Sequence, residues 1–550
     1  MTFKLFFPAM QAALLLLPTL AEALTCSTSG ISAPSLFGAQ ILSMTASPVN
    51  NFTGTVDPTN GFAVNVTGLD FCNITVTYTH PGENDTINVF VLLPSNWTGR
   101  FQGVGGGGWV TGTPQDLIGS ASLGYAAAST DGGHTTNGAA TASSWAQVSP
   151  GNVNYYLLND FASVSLNDMT IIGKQITESY YGQQISFSYW NGCSTGGRQG
   201  LIQAQRYPTN YDGILANSPA INWGQLNLAQ FWPQFFMNLL GYHPSPCELN
   251  GITAAAITAC DGLDGVLDGI ISRPDLCLFN ASSVVGQEVT CPNNSTLNIT
   301  ANGAKVAEAM WTGPFSSSGK RLWYGYIPGS SFQGVAVTVC PEGGNTNCTA
   351  SPFSIATDWI SLFVTRNASL DVSALTLEQF SDIFHASVDQ FTSSIGTNNP
   401  DLTEFKNAGG KMITWHGFAD QLITSESTID YYSRVQNLDA NVRDYYRFFP
   451  APGVMHCGGG LGAFPGFALS QLVQWVESGT APGTLQAVGV AANGTVSNLA
   501  LCPWPLVSAY HGGNTSVADS YSCVERFNAW PLGQLVQNDP SPSSLKVLAP

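Results

Sequence analysis

Apolar blocks of strand length alternate with longer stretches of helical periodicity along much of the chain. The strand-like blocks, rich in β-branched and aromatic residues, are residues 86–93, 101–104, 125–129, 185–190, 210–217, 411–415 and 445–449. Apolar residues recur at helical intervals in residues 161–181, 201–208 and 467–477. Strands that alternate with helices favour a sheet covered by helices, which indicates the α/β class.

One strand-to-helix junction carries a serine inside a glycine-rich turn. The segment 192–196 (GCSTG) follows the block 185–190 and precedes a helical run that ends at Pro208. Strand, G-x-S-x-G and helix in this order form the context of a nucleophile elbow, whose tight turn lifts the Ser194 hydroxyl above the sheet edge. The chain has 58 glycines, and a bland glycine turn is the alternative interpretation, so the flanking elements carry the assignment.

A serine hydroxyl is a poor nucleophile, so this interpretation requires a base and an orienting acid. Asp420 follows the block 411–415, and His456 follows the block 445–449. Ser194, Asp420 and His456 stand in the chain order expected of an α/β-hydrolase. Cys193 precedes the serine and Cys457 follows the histidine, so a disulfide between these cysteines would hold the two catalytic side chains together.

Four consecutive glycines, residues 105–108, come directly after the block 101–104. Glycine lets backbone N–H groups approach a ligand closely. In this fold one oxyanion donor comes from such a loop and the other from the residue after the nucleophile. We therefore predict backbone donors at Gly107 or Gly108 and at Thr195; a flexible glycine hinge is the alternative interpretation. His134, in another loop after a strand, is expected to be structural and not part of the triad.

The regular alternation stops between about residues 221 and 400, a segment that holds six cysteines. An insertion at this place in an α/β-hydrolase usually forms a lid that sets substrate choice. We predict a catalytic domain of residues 24–220 and 401–550 with a large inserted lid domain of residues 221–400. Most of the lid aromatics are expected to form its own core and some to hold a planar acyl group; they include Trp223, Phe231, Trp232, Phe235 and Phe236.

Three aspartates lie within eight residues of this segment, at Asp261, Asp264 and Asp268, between Cys260 and Cys277. Carboxylates packed this densely repel one another unless a hard cation such as calcium lies between them. The spacing differs from that of an EF-hand, and solvent-exposed Asp-Gly turns are the alternative interpretation.

Composition and the first residues favour a secreted protein. Charged residues make up only 9% of the chain, and the net charge is −18. The sequence also has no basic patch of useful size, which argues against nucleic-acid binding. Residues 1–23 combine Lys4, an apolar run and an Ala-Glu-Ala cleavage signal, which predicts a signal peptide. Pro8 and Pro18 argue against a membrane anchor, and no later stretch has about 18 consecutive apolar residues.

Cysteine and sequon content support extracellular localisation. Twelve cysteines, an even number, fit an oxidising compartment. Sequons for N-linked glycans are dense, which suits a secreted glycoprotein. They include Asn51, Asn65, Asn73, Asn84, Asn96, Asn280, Asn298, Asn367, Asn493 and Asn514.

The chain resembles the tannase/feruloyl esterase family of secreted fungal enzymes, which also has bacterial relatives acting on terephthalate monoesters. The resemblance spreads over most of the mature chain. It rests on the stretches GCSTGGRQG, HGFADQLI, GVMHCGGG, FQGVGGGGW and CDGLDGVLDGIISRPDLC.

This resemblance implies Ser194 as nucleophile, Asp420 as acid and His456 as base, linked by the disulfide Cys193–Cys457. It also implies a structural calcium ion in the lid, held by the three aspartates and by the backbone carbonyls of Val266 and Ile270. Sequence proximity and the resemblance together suggest the other pairs, which are Cys26–Cys72, Cys260–Cys277, Cys502–Cys523, Cys247–Cys291 and Cys340–Cys348.

The predicted activity is hydrolysis of aromatic carboxylic esters through an acyl-enzyme, with no redox cofactor or catalytic metal. GCSTGGRQG looks like the feruloyl esterase branch, because many tannases have Asp in place of Thr195. CELNGITAAAITAC and LCPWP look like tannases, so galloyl esters remain the alternative to feruloyl esters of plant cell-wall material or polyphenols. A serine carboxypeptidase and a non-catalytic secreted binding protein are the other classes considered; the cysteines beside Ser194 and His456 argue against the peptidase.

Overall fold

A computed structural model describes residues 25–56, 64–134, 140–341, 344–490 and 494–526 of the chain. The predicted signal peptide, residues 1–23, lies outside these ranges, and so does the sequon asparagine Asn493. Among the described residues, no helix combines the length and the apolar character that a bilayer crossing requires.

Nine strands of the described residues form one central sheet. Seven of them match the apolar blocks of the sequence to within a few residues, whereas the first two, which precede residue 86, were not predicted. The nine strands are β1 (Gln40–Val56), β2 (Val64–Thr79), β3 (Ile87–Pro94), β4 (Arg100–Val104), β5 (Ala126–Thr130), β6 (Phe187–Cys193), β7 (Gly213–Asn217), β8 (Lys411–Gly417) and β9 (Tyr446–Ala451). Their order in the sheet is β1-β2-β3-β5-β4-β6-β7-β8-β9.

The sheet has an antiparallel part and a parallel part. Strands β1, β2 and β3 pair antiparallel as successive hairpins, and β3 pairs antiparallel with β5. From β5 through β4, β6, β7 and β8 to β9 every pairing is parallel. Strands β5 and β7 are buried at every position, because helices cover both faces of a parallel sheet. The carboxyl ends of β6, β8 and β9 therefore meet at one edge of the sheet.

Twelve α-helices are present in the described part of the chain. They are α1 (Leu117–Ser122), α2 (Tyr155–Ala162), α3 (Val164–Tyr181), α4 (Thr195–Arg206), α5 (Trp223–Leu240), α6 (Pro246–Cys260), α7 (Ala301–Thr312), α8 (Ser354–Asp358), α9 (Leu377–Ile395), α10 (Thr403–Asn407), α11 (Ser425–Leu438) and α12 (Ala468–Ser478). The apolar spacing over 161–181 predicted one helix, but the chain bends at Ser163 and forms α2 and α3 instead.

The segment 221–400 contributes no strand to the central sheet within its described residues. It is built mainly from α5 to α9 and two short hairpins, Glu288–Thr290 with Thr296–Asn298 and Thr338–Val339 with Thr349–Ala350. The five aromatics singled out near its start are all buried, at 5% exposure or less, within one apolar cluster. The same cluster contains Trp109, Trp145 and Phe161 from outside the segment, so these aromatics are buried in a core that the segment shares with residues 24–220 and not in a core of its own.

Six disulfides join the cysteines in the pairs expected from the sequence. Five of them close loops with sequence separations of 46 residues or fewer. Cys193–Cys457 has a separation of 264 residues and connects the end of β6 to the loop after β9. This bond joins two strand ends that are distant in sequence at the same edge of the sheet.

Candidate active site

Ser194 lies between β6 and α4 in a strained turn. Its backbone has φ 63° and ψ −121°, a conformation that L-residues rarely adopt, as expected of a nucleophile elbow. The turn is held by hydrogen bonds from Ser194 N to Asn217 O (3.0 Å) and from Ala220 N to Ser194 O (3.0 Å). A Cβ at Gly192 would lie 2.5 Å from the carbonyl oxygen of Gly196, so the turn requires glycine there.

Asp420 and His456 form a hydrogen-bonded pair at the ends of β8 and β9. The distance between His456 Nδ1 and Asp420 Oδ2 is 2.9 Å. Since Nδ1 faces a carboxylate, it carries a proton, which leaves Nε2 as the acceptor that a general base needs. Ser194 and His456 are both described, and no hydrogen bond joins their side chains in this structure; such bonds are often long before substrate binds.

The Asp420 carboxylate is held as an anion although it is buried. Leu422 N and Ile423 N donate to its Oδ1 at 2.9 and 2.8 Å. Burial alone would raise the pKa of Asp420, but the charge of His456 and the hydrogen bonds of the neighbouring histidines outweigh it and hold that pKa well below its usual range. The carboxylate can therefore orient His456 without taking its proton.

His416 is a second histidine on the same carboxylate, and the sequence analysis gave it no role. Its Nε2 lies 3.1 Å from Asp420 Oδ2 and 3.1 Å from Ile423 O, so this nitrogen faces two acceptors and carries a proton. Its Nδ1 lies 2.8 Å from Thr428 Oγ1. The sequence held a signal for this contact, because His416 directly follows the apolar block 411–415 and Asp420 comes four residues later.

The glycine loop after β4 is attached to the elbow. Gly196 N donates to Gly106 O at 2.9 Å, and Thr195 Oγ1 donates to Gly108 O at 2.8 Å. The N–H groups of Gly105 and Gly106 are occupied by Asn191 O and by the Gln199 side chain. Thr195 N is the first amide of α4 and has no intrahelical acceptor.

One cavity of about 490 Å³ brings these groups together. Its walls include Gly107, Gly108, Ser194, Thr195 and His456. The remaining lining is mostly apolar and comes largely from the segment 221–400 and the loop after β8, with Trp223, Leu226, Phe353, Ile355, Leu422 and Ile423. His134 packs instead against Trp145, with its Nε2 2.8 Å from Trp109 O. A small apolar chamber with a nucleophile, a base and unoccupied N–H groups is suited to acyl transfer.

The three aspartates of the segment 261–268 lie in one loop, where Asp261 accepts hydrogen bonds from the backbone around Asp268. Asp261 Oδ1 accepts from the backbone N–H groups of Asp268, Gly269 and Ile270. Burial and the neighbouring carboxylates raise the pKa of Asp268 to about 6. Their carboxylate oxygens are ligands of the kind that calcium prefers. In the described residues, a group of four ligand atoms that all lie within 4.8 Å of one another is found elsewhere, at His80, Glu83, Asp85 and Asp160.

The sheet order, the elbow and the cavity define an enzyme of the α/β-hydrolase fold. A sequence model of the family "Tannase and feruloyl esterase" matches residues 72–524, and the chain therefore belongs to this family of carboxylic ester hydrolases. It is 42% identical to a probable feruloyl esterase of Arthroderma benhamiae over 84% of this chain and 87% of that one. It is 29% identical to a tannase of Aspergillus oryzae, over 91% and 92% of the two chains.

A solved structure of tannin acyl hydrolase from Aspergillus niger is similar to this one. Its TM-score is 0.82 at 28% identity, with 93% of this chain and 95% of that chain covered. The similarity extends over nearly the whole of both chains, which includes the segment 221–400.

Proposed function

We propose that the protein hydrolyses esters of aromatic carboxylic acids with Ser194 as nucleophile, His456 as base and Asp420 as orienting acid. The observation that carries this proposal is the single cavity in which the elbow serine, the imidazole and the glycine loop converge. His456 Nε2 takes the Ser194 hydroxyl proton while Oγ bonds to the ester carbonyl carbon. The backbone N–H groups of Thr195 and of Gly107 or Gly108 receive the developing oxyanion.

The rest of the cycle follows from the same groups. His456 returns the proton to the ester oxygen, the carbon–oxygen bond breaks, and the alcohol leaves an acyl-enzyme on Ser194. A water molecule, deprotonated by His456, then attacks the acyl carbon and releases the free acid and the serine. The disulfide Cys193–Cys457 supports this cycle by tethering the nucleophile and the base to each other across the cavity.

The acyl group is proposed to be a hydroxycinnamoyl group such as feruloyl, and the segment 221–400 to act as the lid over it. The apolar wall formed by Trp223, Leu226 and Phe353 suits a planar aromatic ring. Asn227 also lines the cavity, and its buried Oδ1 accepts no hydrogen bond from the described residues. That oxygen is suited to accept from a phenolic hydroxyl. The 42% identity with a probable feruloyl esterase supports this choice.

Galloyl esters are the second candidate, because the tannin acyl hydrolase structure matches this fold over nearly its whole length. In a galloyl ester the ring with its three hydroxyl groups is bonded directly to the acyl carbon, without the two-carbon spacer of a hydroxycinnamoyl group. These hydroxyl groups would therefore need more polar partners close to Ser194. The polar side chains of the cavity besides the catalytic groups are Asp116, Asn227 and Gln230.

The test is the hydrolysis of methyl ferulate, methyl caffeate and methyl gallate by the purified chain. Turnover of the two cinnamates with little turnover of the gallate is expected. The reverse preference would replace the feruloyl assignment by the galloyl one. Ser194→Ala is the control, and loss of about 10⁶-fold in kcat is expected from the removal of a catalytic serine.

One variant, assayed on a matched pair of esters, tests the acyl pocket. Asn227→Leu removes the free acceptor and is expected to lower kcat/KM for methyl ferulate about tenfold while leaving methyl cinnamate, which has no phenolic hydroxyl, nearly unchanged. An equal loss on both esters would show that Asn227 shapes the pocket without accepting from the substrate.

We also propose that Asp261, Asp264 and Asp268, with the carbonyls of Val266 and Ile270, hold a structural calcium ion. The support is the donor chemistry: three carboxylates share a partly buried loop that is closed by Cys260–Cys277. A calcium chelator is expected to lower the melting temperature, and Asp264→Asn to abolish that response while hydrolysis at low temperature persists. A chelator response that Asp264→Asn leaves unchanged would place the ion elsewhere.

Secretion with N-linked glycans is proposed as the cellular context. Six disulfides support it, because such bonds persist in oxidising compartments. Enzymatic removal of N-glycans from protein collected from the medium of a fungal expression host is expected to lower its mass. Retention of the protein inside the cells would contradict the proposal.

A further inference from the structure

A partly buried cluster of ionisable side chains lies where the β2–β3 hairpin meets the helices α2 and α3. His80, Glu83 and Asp85 belong to the hairpin connection, and Asp160 belongs to the last turn of α2. One ligand atom from each of these four residues lies within 4.8 Å of the other three. Neither the catalytic cavity nor the aspartates of the segment 261–268 share a residue with this group.

The carboxylate of Asp160 points to a missing partner. The residue is only 1% exposed, and its Oδ2 forms no hydrogen bond within the described part of the chain. A buried carboxylate oxygen without a donor is costly, and native structures rarely leave one without an ion, a proton or water beside it. Because this oxygen lies beside the ligand atoms of His80, Glu83 and Asp85, a bound cation would supply its missing partner.

The imidazole of His80 is oriented by a carboxylate on one ring nitrogen, as is usual for a histidine that binds a metal ion. Its Nε2 lies 3.1 Å from Asp168 Oδ2, and Tyr78 Oη donates to that same oxygen at 3.0 Å. A carboxylate that accepts from one ring nitrogen orients the other nitrogen toward a metal ion. Here the other nitrogen, Nδ1, faces Asp85 Oδ2 at 2.5 Å and Glu83 Oε2 at 4.0 Å.

We propose that His80, Glu83, Asp85 and Asp160 form a binding site for one divalent transition-metal ion, Zn²⁺ or Mn²⁺. One imidazole nitrogen with three carboxylate oxygens is a donor set for these ions, whereas calcium prefers oxygen ligands alone. Glu83 is the most exposed of the four side chains and opens the site toward solvent. The ion would fasten the β2–β3 hairpin to α2, and so it is a structural site.

The test is a calorimetric titration of the chelator-stripped, full-length chain with Zn²⁺, and separately with Mn²⁺, in excess calcium so that all-oxygen sites are filled. One site per chain is expected. Because Nδ1 faces a carboxylate and carries a proton without metal, binding should release at least one proton per ion, which titration in buffers of different ionisation enthalpy measures. Binding should also raise the melting temperature and leave the kcat for ester hydrolysis unchanged.

Variants locate the site. Glu83→Gln, at a half-exposed position that tolerates change, and Asp160→Asn are each expected to weaken binding at least tenfold. Asp168→Asn should weaken it about 10- to 100-fold, because Asp168 only orients His80. Asp382→Asn, an exposed carboxylate on α9, is the matched control and should bind like the parent chain. Absence of Zn²⁺ and Mn²⁺ binding, or equal affinity in Glu83→Gln and the parent, would overturn the proposal and leave the cluster as a proton-sharing network.

Discussion

The Asp420 carboxylate accepts from two backbone amides and faces two histidines, so the charge of this buried group is balanced on every side. This arrangement is costly to disturb, since removing one partner leaves the others unsatisfied. Of these partners, His416 bonds to the same oxygen as His456, Oδ2 of Asp420, and so helps to hold the carboxylate in place for His456.

Replacement of His416 by leucine is expected to lower kcat about 10- to 100-fold with little change in KM, because one hydrogen bond to a charged group contributes about 1.5–3 kcal/mol. His416→Gln keeps an N–H donor and should recover part of the loss. Steady-state kinetics with methyl ferulate and thermal unfolding check this. A fall in melting temperature with an unchanged kcat in His416→Leu would show that His416 only supports the fold.

His134 gives the stability of the fold a pH dependence. Burial lowers the pKa of His134 below its usual value near 6.5, although its backbone acceptors partly offset this. The unfolded chain therefore binds more protons at acidic pH, and the contribution of His134 is present above about pH 6.5 and lost as the pH falls through the folded-state pKa.

Between pH 7 and pH 5 the parent chain is thus expected to lose up to about 2 kcal/mol more unfolding free energy than His134→Gln, which cannot titrate. Urea unfolding of both proteins at the two pH values measures the difference. Equal losses in the two chains would mean that the imidazole is protonated in the folded state or does not titrate in this range.

The loop of residues 105–108 and the elbow helix α4 act as one unit, because their backbones hydrogen-bond at Gly106 and Gly196. The room available for a side chain differs between the positions of this loop. A Cβ at Gly105 would lie 2.6 Å from the Gly196 Cα, whereas a Cβ at Gly107 would meet no atom within 4 Å. The loop thus has a packed side toward the elbow and an open side toward the cavity.

Gly105→Ala is expected to cost about 1–3 kcal/mol of stability and to lower kcat by displacing the oxyanion donors. Gly107→Ala is the matched control for added volume and should keep the stability of the parent, because its methyl group enters open space. Urea unfolding and kcat for both variants test the pair. Similar losses of stability in Gly105→Ala and Gly107→Ala would contradict the difference in packing between these two positions.

At the scale of the whole molecule, the disulfide Cys193–Cys457 connects the end of β6, which precedes the inserted segment, to the loop after β9, which follows it. A chain-entropy treatment assigns about 5–6 kcal/mol to a loop of this length and about 3–4 kcal/mol to the loop of Cys502–Cys523. The first bond also tethers Ser194 to His456, which the second does not.

Serine replacement of both cysteines of Cys193–Cys457 is therefore expected to destabilise the chain by about 2 kcal/mol more than replacement of Cys502 and Cys523. It should also lower kcat, while the second double variant keeps the kcat of the parent. Unfolding curves and kinetics below the melting temperature of each variant give both numbers. An equal kcat in the two variants would show that the tether does not hold the catalytic geometry.

Several features could be predicted from the sequence because their causes are local. The strands β4 to β9 appear as short apolar blocks, since both of their faces are buried, and the flanks of Ser194 identify the elbow. The order of Ser194, Asp420 and His456 and the disulfide pairing also appear in the chain and in its family resemblance. The assignment of catalytic roles to these residues remains a prediction that the variants above test.

Other features depend on the tertiary structure because they join residues without a shared local pattern. The break between α2 and α3 at Ser163 could not be read from a continuous helical spacing. The hydrogen bonds of Asp420 to His416 and His456, and the cluster of His80 and Asp160, arise only when the sheet order brings distant segments together. Sequence patterning therefore determined the buried strands β3 to β9 and the candidate catalytic residues, because their causes are local. The packing of the elements decided the hydrogen-bond partners of these residues and hence the electrostatics of each site.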